Sequence, residues 1–111
     1  MQTEGNSSRA EVARKYHRLG VEALEAQRYE DAVQALRRAV ELDPSLGDVW
    51  NDLGVVMEAL GNPREAVQCY RRALSVQPAQ ADARSNLGLL MLQLNLAGIL
   101  QRQAFRSSVV Y

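Results

Sequence analysis

The chain offers few side chains that could do chemistry. Its one histidine, His17, has no acid or nucleophile apparent for it in the sequence, so it reads as a polar residue on a helix face and not as a general base. Its one cysteine, Cys69, cannot form an internal disulfide, and one Cys with one His is too few for a structural zinc site. Cys69 reads instead as a small packed residue within a helix. No Gly-rich phosphate loop, metal-ligand cluster or carboxylate pair appears. Arg37-Arg38 and Arg71-Arg72 form basic pairs on what would be outer helix faces, where intrahelical ion pairs account for them. The expectation is a non-enzyme without metal, cofactor or small-molecule substrate.

Composition narrows the partners. Over 111 residues, 13 Lys+Arg cancel 13 Asp+Glu, which argues against a nucleic-acid coat or a polybasic membrane binder. Hydrophobic residues make up 47%, enough for a packed core, yet aromatics are only 5%. The apolar supply is mostly Ala, Leu and Val, which suits close-packed helices better than a β-sandwich. Met1 to Ser8 lack the apolar stretch of a secretory signal. The most apolar run, Leu87 to Leu100, is broken by Gln93 and Asn95 and spans roughly 20 Å against about 30 Å for a bilayer core. A cytoplasmic protein without a membrane span is expected.

The few chemical groups must be positioned by something, and the sequence carries a period. Gly20, Gly54 and Gly88 stand 34 apart, each after a leucine (Leu19, Leu53, Leu87). Ala32 and Ala66, Ala39 and Ala73, Pro44 and Pro78 repeat at the same interval. Laid over each other, 13–46 and 47–80 share ten identical pairs.

Each unit reads as two helices. Tyr16, Leu19, Gly20, Ala23 and Leu24 follow helical spacing, and Ala32, Leu36 and Ala39 do so again. Gly61 suits a left-handed helix end, Asn62 a cap, Pro63 a first helical position and Glu65 a capping-box carboxylate. Ser8 with Glu11, and Ser45 with Asp48, carry similar start signals. The expected helices lie near 9–26, 30–42, 46–60, 63–76 and 80–94. Gly20, Gly54, Ala32 and Ala66 would let paired helices approach closely, which offsets the cost of about 1 kcal/mol for glycine in a helix.

These residues resemble a tetratricopeptide repeat. Tyr16-x-x-Leu19-Gly20, Ala32, Leu36, Ala39, Pro44 form one copy; Trp50-x-x-Leu53-Gly54, Ala66, Tyr70, Ala73, Pro78 form the next; Leu87-Gly88 opens a third. The resemblance implies an all-α right-handed α-solenoid of antiparallel helix pairs, with five helices plus an extended or shortened C-terminal helix or hairpin. The organisation then reads as a flexible lead over 1–8, repeats over 9–46 and 47–80, and a degenerate third repeat over 81–111. The third copy loses the pattern after Leu94. Deleting about three residues restores Ala97 and Ala104 as its small positions in a shortened hairpin. A single long or kinked helix through Leu87–Phe105 is favoured, because no strong breaker lies between Leu94 and Ala97.

The resemblance also implies a function: binding a peptide or helix of a partner protein on the concave face lined by the first helix of each repeat. The inward side chains would be Arg14, His17, Arg18, Val21 and Glu25, then Asp48, Asn51, Asp52, Val55 and Glu58, then Asp82, Ser85, Asn86, Leu89 and Gln93. Asn51 and Asn86 would offer amides to an extended backbone over an apolar floor of Val55 and Leu89. Relatives that grip a chaperone's C-terminal carboxylate use lysine, asparagine and arginine; the matching places here hold His17, Val21, Asp52, Asp82 and Asn86, and two acids would repel a carboxylate. A segment with basic residues facing the second and third repeats fits best.

The alternative is a self-associating assembly protein. Leu90, Met91, Leu94, Leu96, Ile99 and Leu100 put apolar residues around the whole circumference of the last helix, where a solenoid end is normally capped by a polar face. Either Phe105, Val109, Val110 and Tyr111 fold back over it, or a second copy pairs with it as a homo-oligomer, or the array continues in a longer chain.

Overall fold

The computed structural model describes residues 2–109, with side chains over 8–106. Five helices follow one another: α1 (Gln2–Glu25), α2 (Tyr29–Leu42), α3 (Gly47–Ala59), α4 (Pro63–Val76) and α5 (Ala81–Val109). The chain is elongated, 74 × 29 × 17 Å, with a radius of gyration of 17.7 Å against about 13 Å for a compact chain of similar length. Each helix packs on the next, and α1, α3 and α5 also touch in series, whereas the backbones of α2 and α4 stay apart. The first-helix layer is therefore the tighter, inner side of the array.

The repeat sets the packing. Ala32, Leu36 and Ala39 on α2 are fully buried, as are their counterparts Ala66, Tyr70 and Ala73 on α4. A Cβ on Gly20 would overlap the Leu36 side chain, and one on Gly54 would overlap the Tyr70 ring. Each glycine is thus a notch that takes the largest fully buried side chain of the facing helix. Gly88, at the third such place, has nothing within 4 Å of the same Cβ.

That difference follows from α5. The structure selects the long helix: α5 runs unbroken for 29 residues, and no hairpin forms at Leu94–Ala97. Gly98 is tolerated within it. The fold-back expected of Phe105 does not occur, since Phe105 continues along α5; Val109, Val110 and Tyr111 lie outside the described side chains.

The boundaries of α2, α3 and α4 match the expected ones within a few residues, whereas α1 starts at Gln2 instead of near 9 and α5 runs past 94 to Val109, and several caps differ. Ser8 lies inside α1, which already runs from Gln2. Ser45 does not cap α3; its Oγ donates to Asp43 Oδ1 at 2.6 Å and its N–H to the same oxygen at 3.1 Å, a local turn that outcompetes the cap. Asn62 precedes α4 without a side-chain cap bond, and Glu65 bonds Arg37 at 3.3 Å instead of reaching back. Pro63 does occupy the first turn. Entry to α3 and α5 is fixed by equivalent carbonyls: Trp50 Nε1 donates to Pro44 O at 2.8 Å, and Arg84, 34 residues on, donates to Pro78 O at 2.9 Å.

Gly61 turns the chain with φ +79°, closing the helix end through Asn62 N–H to Met57 O at 2.8 Å. The same turn in the first repeat is made by Gln27 at φ +60°, with Arg28 N–H to Ala23 O at 2.8 Å. A side chain in this region is strained by about 1 kcal/mol. Gln27→Gly should accordingly raise the unfolding free energy by about 0.5–1 kcal/mol, measured by urea denaturation, by bringing repeat one to the turn chemistry of repeat two.

Candidate functional site

The inner layer places the expected groove residues on α1, α3 and α5, and many of them bond to each other. Arg14 Nη1 donates to Asp48 Oδ2 at 2.8 Å, across a 34-residue interval. The same guanidinium donates to His17 Nδ1 at 3.2 Å, and His17 Nε2 donates to Asp52 Oδ2 at 2.7 Å. One repeat further, Asn86 Nδ2 donates to Asn51 Oδ1 at 3.0 Å. His17–Asp52 and Asn51–Asn86 are equivalent positions, each offset by 35. A polar stitch therefore recurs at both junctions between first helices.

These bonds revise the roles given to single residues. Asn51 is 6% exposed, so it acts as a buried joint and not as an open amide. Asp48 is paired with Arg14, and Asp52 accepts a hydrogen bond from His17, so both acids expected to face a basic partner are already engaged within the chain. Glu58 is also engaged, accepting a hydrogen bond from the buried Tyr70 hydroxyl. Among the groove acids of α3 and α5, Asp82 is the one with no ion-pair or hydrogen-bond partner among the described residues.

What stays available is apolar and regular. Val21 and Val55 are partly exposed and Leu89 is open, and the three stand 34 residues apart along the inner layer. Arg18 and Ser85 are exposed beside them. The stitch partners were hidden in the sequence at offsets of 34 and 35, the only signal that could have paired them.

The outer side carries a second feature, a cleft of about 430 Å³ between α2 and α4. Trp50, Leu53 and Met57 form its floor, Arg37 and Glu65 bridge it, and Arg72 stacks over Trp50 at 5.3 Å. Cys69 lines it and is 8% exposed. Burial pushes its thiol up from 9.0 to about 11, with Glu65 adding to the effect and Arg37 opposing it. The N-terminal counterpart of this floor is uncovered: Leu19 is 54% exposed, whereas Leu53, beneath α2, is 3% exposed.

Of the residues expected to mediate self-association, Leu90 is buried against the body and drops out. Met91, Leu94, Leu96, Ile99 and Leu100 are exposed. No helix among the described residues is long and apolar enough to cross a membrane, and no three metal-ligating side chains converge among them.

Paired helices, notches filled at one interval and stitches recurring between first helices define a helical-repeat scaffold. The tetratricopeptide repeat pattern matches residues 23–87. The chain belongs to the tetratricopeptide repeat family. Among solved structures, it is similar to the crystal structure of MamA (TM-score 0.74, 26% identity over 78% of this chain). It also shares the fold of the Arabidopsis OM64 TPR domain (TM-score 0.75, 16% identity, 78% of this chain and 71% of that one). A third neighbour is the first TPR of Spaghetti (RPAP3) bound to the HSP90 peptide SRMEEVD (TM-score 0.75, 15% identity, 78% and 70%). The chain spans about half, 51%, of the length of the MamA structure. None of the curated proteins matches the sequence.

Proposed function

We propose that the chain is a non-enzymatic interaction module whose inner layer holds a peptide or helix of a partner protein over Val21, Val55 and Leu89. The observation that carries this reading is the regular apolar strip, partly exposed at Val21 and Val55 and open at Leu89, while Arg14, His17, Asp48, Asp52, Asn51 and Asn86 around it are engaged in the stitches. An apolar side chain every few residues of the partner would seat on it, as in other groove recognition. Asp82 gives the third-repeat end a preference for a basic residue. A carboxylate-ending peptide like that held by the RPAP3 repeat is disfavoured here, because Asp52 and Asp82 stand where bases would be needed.

The reading is tested with a peptide selected by display against the full chain and then titrated by fluorescence anisotropy. Val55→Glu should weaken its binding about 10-fold or more, the equivalent of roughly 1.4 kcal/mol, without altering the far-ultraviolet spectrum. Equal affinity for the variant would place the binding face elsewhere.

A further inference from the structure

α5 carries two apolar stripes on opposite sides. One, through Ala83, Leu87 and Leu90, turns toward the body: Ala83 and Leu90 are buried and Leu87 is half-buried. The other runs through Leu89, Leu92, Leu96 and Ile99, all exposed, at 58, 54, 51 and 37%. Its spacing of three, four and three residues is that of a coiled-coil seam. The same register continues outward in both directions, to Ser85 and Asp82 on one side and to Gln103 and Arg106 on the other, all exposed.

We infer that this seam is an interface between two copies of the chain, paired antiparallel about Leu94. The sequence of the seam reads the same way from both ends in chemical terms. In that register Leu92 of one copy meets Leu96 of the other, Leu89 meets Ile99, Ser85 meets Gln103, and Asp82 meets Arg106. The apolar pairs fall at the centre, the amide and hydroxyl next, and the opposite charges at the rim. Parallel pairing would set Asp82 against Asp82 and Arg106 against Arg106, which is repulsive, and would align the helix dipoles unfavourably. After Asp82 the chain has no acidic residue, so Arg102 and Arg106 have no acid of their own segment to neutralise them. Among the described residues neither Asp82 nor Arg106 forms an ion pair within the chain. The partner's helix would lie along the third-repeat end of the inner layer, in the place that a foreign segment would take at Leu89, while leaving Val21 and Val55 open. The seam stands on its own residues and does not depend on binding at Val55.

The experiment is sedimentation equilibrium of the full chain across a dilution series, with circular dichroism to follow folding. The wild type should show a reversible monomer–dimer equilibrium. Leu96→Glu, at a site already exposed, should raise the dissociation constant at least about 100-fold, since two apolar pairs are lost per dimer, and leave helices α1–α4 intact. Asp82→Arg alone and Arg106→Asp alone should each weaken the dimer about 3–10-fold, and the double variant should recover wild-type affinity. A parallel pair would show no such recovery, because like residues face each other before and after the swap. A single monomeric species up to the millimolar range overturns the proposal, as does a dimer that Leu96→Glu leaves unchanged. Weakening by Leu96→Glu without recovery in the charge swap overturns the antiparallel register.

Discussion

Gly54→Val should lower the unfolding free energy by about 3 kcal/mol, the upper part of the range for overpacking a closed core. The Tyr70 ring fills the space that the new side chain needs, and Tyr70 is fully buried with its hydroxyl anchored on Glu58. Gly20→Val should fall somewhat below this, since Leu36 can change rotamer although it too is fully buried. Gly88→Ala should do the opposite and add up to about 1 kcal/mol, because the position is open and alanine is the better helix former. Urea unfolding at low protein concentration measures all three. Similar losses at Gly54 and Gly88 would mean that a second helix does cover Gly88, contrary to the continuous α5.

Alkaline solution should loosen the fold through Cys69 and Tyr70. The folded chain holds both protons more tightly than the unfolded one: burial raises the thiol to about 11, and burial together with the hydrogen bond to Glu58 and its charge raises the phenol well above its usual value. Stability from a raised group is complete below its unfolded value and is lost as pH climbs toward the folded one. For Cys69 the decline runs from pH 9.0 to about 11, and its full extent is about 3 kcal/mol. Tyr70 adds its own decline from pH 10.0 upward. Cys69→Ala, which installs the residue that repeat one carries at Ala35, should flatten the stability profile between pH 9 and 10 while the steeper loss above it persists. Thermal melts across this range read the effect, and an unchanged slope in the variant would remove the thiol from the account.

The repeat was legible because its chemistry is local. Gly20 and Gly54, Ala32 and Ala66, and the prolines recur at one interval and mean the same thing each time, so helix number and pairing follow. The continuous α5 was legible by subtraction, since nothing between Leu94 and Ala97 stops a helix. The caps were less so: Ser45 and Asp43 compete for the same few backbone groups, and composition does not say which prevails. The site was legible as a face but not as a set of bonds. A helix-face reading assigns His17, Asp52, Asn51 and Asn86 to the groove, yet it cannot see that neighbouring first helices are offset by one residue beyond the repeat. That offset turns side chains expected to meet a partner into joints between repeats. Leu90 was misplaced for a related reason, because an all-round apolar helix does not reveal which side meets the body.

The unfilled notch at Gly88 marks where the array stops being held from both sides. From Met91 to Arg106 every residue but Gly98 is exposed. A helix of about 15 residues without such support is only marginally formed in water. Amide hydrogen exchange along α5 of the monomer should therefore divide near Leu90, slow before it and close to peptide rates after it. Any surface that settles on the outer turns would slow their exchange, so the order of this helix depends on its company.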